Sequence, residues 1–329
     1  MRVTNRMLAN NFLTDMRNNL SNLKTVQSQL SSGKEIRKPS DDPFKVARSM
    51  ELYSGIQANK QYNENIKDTS NWLDATDTSL DQITNNMQRV RELLVSAGNA
   101  AYGSDERLAI KDELNQRIEE VGQILNTNFD GKYLFGGTKV TSTPVAVKAD
   151  LNGNNRIAFA GKDGSELVPG TGDPNTDNQL KMLSTKLNTE VSQGVSMDYN
   201  VTSSELLSFT NEKGKSINVS DLLNQIVNNL DDPSQDAKNK ITGDNLQGIT
   251  DTITNLLKVR AEVGAKQNRM ESAQEKNQSE NYNLTDILSS NEDIDYTEKM
   301  MDYSVLRSVY MASLQTSSKV IQPTLLDYV

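Results

Sequence analysis

From Tyr62 onward the chain carries an unbroken alternation of four- and three-residue steps: Tyr62, Ile66, Thr69, Leu73, Thr76, Leu80, Ile83, Met87, Val90, Leu94, Ala97 and Ala101. Side chains at that spacing share one face of an α-helix. Forty residues in a single helix would reach about 60 Å, longer than an ordinary globular helix. The alternation returns near the other end at Leu246, Ile249, Ile253, Leu256, Arg260, Val263, Gln267, Met270, Gln274, Asn277, Asn281, Leu284 and Leu288, turning polar after Met270. Such stripes feed long narrow seams, not a thick core. The composition agrees, since only 35% of the 329 residues are hydrophobic, below the roughly 45–50% of an average domain.

Each chain end carries a weaker version of the pattern. Ala9, Leu13, Met16, Leu20, Leu23, Gln27 and Leu30 form one seam, and Gly33 supplies a stop because a left-handed C-cap costs glycine little. Pro39 keeps the connection extended, and Ser40-Asp41-Asp42-Pro43 reopens a helix with a capping carboxylate and a first-turn proline. Gly103-Ser104-Asp105 breaks the long helix, and Leu108, Leu114, Ile118, Val121 and Leu125 mark a shorter amphipathic run. A last helix is expected from near Tyr296, carrying Leu306, Val309, Tyr310, Ser313 and Val320, with Pro323 near its end. Lone polar-rich helices of about 20 residues are marginal in water. The two terminal seams should therefore order only against each other or against neighbouring molecules. Leu13, Met16, Leu20, Leu23, Leu30, Leu306, Val309, Tyr310 and Val320 are the candidate assembly residues.

Residues 138–240 lose the alternation and are richer in Gly, Pro, Thr and Asn. Val145-Ala146-Val147-Lys148-Ala149 and Arg156-Ile157-Ala158-Phe159, joined through Asn152-Gly153, predict a hairpin. Further strands are expected over 195–202 and 216–219, and a short helix over 220–230. The predicted fold is mainly α with a β-rich insert: a long antiparallel helical bundle formed by N- and C-terminal segments, with a small variable domain in the middle. The expected segments are 1–42 (assembly helix and loop), 43–137 (first half of the bundle), 138–240 (variable domain), 241–292 (second half) and 293–329 (second assembly helix).

The chain has no Cys and no His, which excludes disulfides, Cys/His zinc sites and imidazole or thiolate catalysis. A net charge of −9 argues against a general nucleic-acid or anionic-membrane binder. No apolar run of about 18 residues and no secretory leader are apparent, so the sequence reads as soluble and Sec-independent. Asp150-Leu151-Asn152-Gly153-Asn154 opens like a calcium loop, but Asn155 and Gly161 occupy the positions that require Gly and Glu. Gly214-Lys215-Ser216 ends like a phosphate loop, but Phe209 stands where the first Gly is needed. Asp41/Asp42 and Asp231/Asp232 precede prolines and read as caps or turns, and Lys34, Arg37 and Lys38 as a solvated basic face. No enzyme, cofactor or metal site is expected.

Several stretches nonetheless resemble a known family. Leu30-Ser31-Ser32-Gly33-Lys34-Glu35-Ile36, followed by Pro39-Ser40-Asp41-Asp42-Pro43, is similar to the N-terminal signature of bacterial flagellins and their relatives. Arg260-Ala261-Glu262-Val263-Gly264-Ala265-Lys266-Gln267-Asn268-Arg269-Met270-Glu271-Ser272 resembles the C-terminal signature, in which Arg260, Gly264, Gln267, Asn268 and Arg269 are the motif residues. Glu292-Asp293-Ile294-Asp295-Tyr296 looks like the acidic turn before that family's last helix. Within the family, Arg37-Lys38-Pro39, Gly131-Lys132-Tyr133-Leu134-Phe135-Gly136-Gly137 and Leu325-Leu326-Asp327-Tyr328-Val329 look more like hook–filament junction proteins than filament flagellins, although the final Val departs from the usual Leu.

The resemblance implies a structural part of the flagellum, exported unfolded by the flagellar type III route with a chaperone on the C-terminal helix. It implies a ring of identical subunits between a neighbouring hook-associated protein on the hook side and flagellin on the filament side. Helices 4–32 and 296–325 would face partners, and 138–240 would form the variable domain. A filament flagellin and a binding module built on the middle domain are the competing expectations.

Overall fold

The computed structural model describes residues 5–98, 103–150, 153–170, 173–232 and 234–320. They group into two compact units, one drawn from 1–60 and 279–329 and the other from 61–278. Ala101, Asn152 and the 325–329 motif lie outside the described residues, as do Pro323 and the side chain of Val320.

Five helices dominate: α1 (Asn5–Ser32), α2 (Pro43–Ala97), α3 (Ser104–Leu125), α8 (Leu246–Glu292) and α9 (Tyr296–Val320). Their ends follow local chemistry. Helix α1 stops at Gly33, whose φ of 72° favours a residue without a Cβ, and whose N–H donates to the Gln29 carbonyl at 2.8 Å. A Cβ there would also stand 2.7 Å from the Tyr296 hydroxyl. Helix α2 starts at Pro43, with Asp42 Oδ1 accepting from the N–H of Phe44 (3.0 Å) and Lys45 (3.1 Å).

In the unit built from 61–278, the α2 stripe is the core. Ile66, Thr69, Leu73, Thr76, Leu80, Ile83, Met87, Val90, Leu94 and Ala97 are all buried. Leu114, Ile118, Val121 and Leu125 of α3 close over it, as do Ile249, Leu256, Val263 and Met270 of α8. Polar bridges give the direction of the α2–α8 pairing: Gln267 Nε2 reaches Asp74 at 2.7 Å, and Arg260 reaches Asp77 (2.9 Å) and Asp81 (2.6 Å). Rising numbers on one helix meet falling numbers on the other, so the pair is antiparallel.

The segment between α3 and α8 is built of hairpins and short helices. The hairpins are β1–β2 (Asn128–Phe129, Lys132–Tyr133), β3–β4 (Val145–Ala149, Asn155–Phe159), β5–β6 (Asn188–Ser192, Val195–Asp198) and β7–β8 (Ser208–Thr210, Ser216–Asn218). Each is a two-stranded antiparallel sheet. Such pairs are marginal alone, and β3–β4 leans on α3 and on α6 (Val219–Asp231), which buries Val219, Leu223, Ile226, Val227 and Leu230. The β3–β4 hairpin turns at Gly153 (φ 77°), in the stretch that opens like a calcium loop. The 214–216 stretch likewise serves the β7–β8 turn, with Gly214 at φ 77°.

Two expectations need correction. The strand expected over 195–202 ends at Asp198, because Thr202 caps helix α5 (Ser203–Leu207): its hydroxyl accepts from Glu205 N–H at 3.3 Å, and the Glu205 carboxylate accepts from Thr202 N–H at 3.4 Å. The middle also holds more helix than expected. Asp173-Pro174 opens α4 (Pro174–Ser184), and α7 (Gln235–Lys240) runs through a π-helical turn (Ile241–Asn245) into α8.

The unit built from 1–60 and 279–329 has a small core of Leu52, Ile56 and Leu288, with Leu284 packed against it. Asn291 Nδ2 donates to the Lys45 carbonyl (2.9 Å) and Ser49 Oγ (2.8 Å), while Leu284 lies beside Gly55, so α2 and α8 are antiparallel here as well.

Candidate assembly surface

In the terminal unit α1 packs against α9. Leu13, Met16, Leu23 and Leu30 on α1 are half-buried, as are Leu306 and Tyr310 on α9. Leu20 and Val309 turn outward, 47% and 48% exposed. No described side chain of either helix is fully buried. Beyond its inward face α9 carries exposed Met300, Met301, Val305, Met311 and Leu314, on more than one side of the helix. A helix apolar around most of its circumference is normally an interior element. Phe44, at the start of α2, is 89% exposed.

The loop between α1 and α2 is held by short-range chemistry. Asp41 Oδ2 accepts from the N–H of Arg37 (3.1 Å) and Lys38 (3.0 Å), turning the chain before Asp42 and Pro43, while Ser40 lies exposed in the turn. Arg37 also bonds the Ser28 hydroxyl. Lys34, its side chain 38% exposed, is more than a solvated charge. Its ammonium pairs with Asp293 (2.7 Å) and Glu292 (3.2 Å). Glu35 N–H donates to the Glu292 carbonyl at 2.6 Å, and Ile294 N–H to the Gly33 carbonyl at 3.2 Å. These bonds make a small antiparallel bridge joining the 33–35 and 292–294 segments.

The charges in the bridge respond to one another. The hydrogen bond from Lys34, then that from Ser289, holds Asp293 below the usual carboxylate range. Burial pushes Glu292 upward, but hydrogen bonds from Ser49, Tyr53 and Lys34 outweigh it and leave the carboxyl lowered. The bond to Asp293 raises Lys34. Asp295 then starts α9, accepting from the N–H of Thr297 (2.8 Å) and Glu298 (3.2 Å).

The second set of expected motif residues lies on α8 in the other unit. Arg260 and Gln267 make the α2 contacts described above, and the Asp77 carboxylate raises Arg260. Gly264 has open space where a Cβ would stand, and Asn268 and Arg269 are exposed. Asp231 departs from the turn role expected for it by pairing with Lys111 at 2.7 Å, while Asp232 accepts from Ser234 N–H at 2.8 Å. Sequence reasoning also missed Lys139. Its buried ammonium donates to the Thr143 (3.1 Å) and Ala160 (2.5 Å) carbonyls, and burial lowers its pKa.

Among the described residues, no group of three or more acidic side chains is placed to hold a metal ion, and no helix is long and apolar enough to cross a membrane. What the terminal unit offers is non-covalent association: paired helices with unspent apolar surface, anchored by a capped loop.

Sequence comparison narrows the class. The bacterial flagellin N-terminal helical region matches residues 3–140, and the flagellin C-terminal helical region matches 246–329. The chain belongs to the flagellin family. A flagellin of Clostridium tyrobutyricum is 28% identical over 177 residues, covering 53% of this chain and 47% of that protein. The chain thus spans about half the length of that relative. Among solved structures, a candidate flagellar hook-associated protein of Vibrio parahaemolyticus superposes with a TM-score of 0.60 at 21% identity, covering 77% of this chain and all of the other. The flagellar hook-associated protein-3 of Legionella pneumophila gives 0.58 at 15% identity, covering 73% and 97%. At such identities the likeness is one of fold.

Proposed function

We propose that the protein is the non-enzymatic adaptor that joins the flagellar hook to the flagellin filament. The observation that carries the reading is the α1–α9 pair, half-buried where the helices meet and with exposed apolar side chains spread round α9. Leu13, Met16, Leu23, Leu30, Leu306 and Tyr310 hold the pair together. Leu20 and Val309, with the exposed methionines of α9, meet neighbouring subunits. Segments 1–42 and 293–329 do the assembling, 43–137 and 241–292 the stiffening, and 138–240 varies. The protein leaves the cell unfolded by the flagellar export route, with a chaperone on its last helix, and assembles as a ring. One face of the ring meets a hook-associated protein and the other meets flagellin.

Support for the junction over the filament comes from the Arg37-Lys38-Pro39 and 131–137 motifs and from fold likeness to hook-associated proteins. The filament reading stays as the second, because the curated relative is a flagellin. A deletion strain is expected to make hooks, shed flagellin into the medium and lack filaments; normal filaments would sink the proposal. Immunogold labelling separates the readings: a single spot at the filament base marks a junction, and label along its length marks a flagellin.

A further inference from the structure

One cavity in the 61–278 unit has no part in assembly as proposed above. It measures about 630 Å³, within the roughly 300–1,000 Å³ range of small-molecule sites. Three separate elements converge on it: Asp68, Thr69 and Trp72 from α2, Asp130 from the β1–β2 turn, and Asn188 and Thr189 from β5. Its apolar corner is an aromatic cluster around the only tryptophan of the chain. Trp72 meets Phe129 edge-on at 6.1 Å and Tyr199 edge-on at 5.8 Å.

Trp72 is 6% exposed, with its indole N–H buried and unpartnered among the described residues. The ring lines the cavity, so a ligand bound there sits against it. The walls are firm. Asn65 Nδ2 donates to the Glu190 carbonyl (3.0 Å) and Asn277 Nδ2 to the Val191 carbonyl (2.8 Å), fixing β5 against α2 and α8. Asp130 is the described non-glycine residue with a left-handed backbone (φ 51°), followed by Gly131 at 75°, and this tight turn presents its carboxylate at the rim.

The lining chemistry selects the ligand class. Two carboxylates against one ammonium, that of Lys132, leave the site slightly negative, which disfavours phosphate, sulfate and acidic peptides. Amides, hydroxyls and carboxylates together offer both donors and acceptors, as a ligand bearing many hydroxyls requires. The aromatic side chains beside them add apolar surface for the C–H face of a pyranose ring. We propose that this cavity is a binding site for a neutral sugar residue. Sugar hydroxyls donate to Asp68 and Asp130 and accept from the Asn71 and Asn188 amides, with the sugar ring against the Trp72 corner.

The tryptophan makes the test direct, since intrinsic fluorescence of the full-length protein reports on this one position. Glucose, galactose, mannose and N-acetylglucosamine are titrated in turn, with choline and inorganic phosphate as charged counterparts. At least one sugar is expected to produce a saturable change, with choline and phosphate producing none. Asp130→Ala and Asn188→Ala should each weaken the apparent affinity about tenfold. Lys213→Ala, in the β7–β8 turn, should leave it unchanged.

No saturable response to any sugar means that the cavity holds water alone and overturns the proposal. A choline or phosphate response matching that of the sugars overturns it too, as does unchanged affinity in both Asp130→Ala and Asn188→Ala. None of these outcomes bears on the junction role, which stands or falls with the deletion strain.

Discussion

The same four-three alternation meets two different fates in this chain. On α2 within the 61–278 unit, Ile66, Leu73, Leu80 and Leu94 are fully buried. On α1, residues with the same spacing and similar chemistry are at best half-buried. Periodicity decides which face of a helix is apolar, and the supply of apolar neighbours decides whether that face leaves water. The inner unit supplies α3, α6 and the hairpins as cover, whereas the terminal unit offers α1 little beyond α9 and a small core of Leu52, Ile56 and Leu288. The inner unit is finished by its own chain. The terminal unit is finished by other subunits, if the junction reading holds.

The contrast can be broken most forcefully in the two seams. Leu80→Ala removes a fully buried side chain and should destabilise the monomer by about 2–5 kcal/mol in urea unfolding. The same change at half-buried Leu23 should cost under about 2 kcal/mol in the monomer yet still impair motility. Equal losses at the two sites would erase the distinction. Leu23→Pro should cost about 3 kcal/mol, confined to the terminal unit. Circular dichroism would show a partial loss of helix with the main unfolding transition unmoved, and swimming would stop. Unimpaired swimming would count against a helical contact made by α1.

The pairing of pattern and cover also explains what could be read in advance. The α2 and α8 stripes, the Gly33 stop and the Asp42-Pro43 start were visible because helix period and capping are local. The β3–β4 hairpin was visible through Asn152-Gly153. Two signals were present but passed over: Asp173-Pro174 before α4, and Thr202 with Glu205 as a capping box for α5. Other features had no local signal. Lys34 finds its acids 258 and 259 residues away, and Lys139 finds carbonyls that only the folded chain assembles. Trp72, Phe129 and Tyr199 meet from three elements, so the cavity beside them was invisible in one dimension.

A smaller effect should separate the units by pH. Asp293 and Glu292 are held below their ordinary values of 3.8 and 4.5, so their contribution is complete above those values and disappears as pH falls through the lower folded ones. Lys34 is held above 10.5, so its contribution is complete below that and is lost as pH rises further. Lys34 and Asp293 are 38% and 43% exposed, which limits the effect to about 1 kcal/mol or less. Hydrogen exchange at Glu35 and Ile294 should quicken below pH 4, beyond its intrinsic pH dependence, while amides of the α2 core in the other unit keep their protection. Lys34→Ala should remove that difference.

The smallest expected effect is at Gly264. A Cβ there meets nothing within 4 Å. Gly264→Ala should therefore leave the monomer unchanged or stabilise it by about 0.5–1 kcal/mol through helix propensity. A thermal melt reads the stability of the monomer, and a swimming assay reads its assembly. Lost swimming with an unharmed monomer would show that the position answers to a neighbouring molecule. A destabilised monomer would show that it answers to its own helix.

The bridge between Gly33–Glu35 and Glu292–Ile294 also sets a timetable. The chain must close a loop between Lys34 and Asp293, 259 residues apart, and closure entropy grows with the logarithm of the free length. Folding of the inner unit takes most of that length out of the loop, easing closure by roughly 1–2 kcal/mol. Whenever the chain emerges amino end first, α1 appears earliest but cannot dock on α9 until almost everything else has passed. The first segment to appear is thus among the last to settle, and its apolar seam stays open to capture until the chain has come full circle.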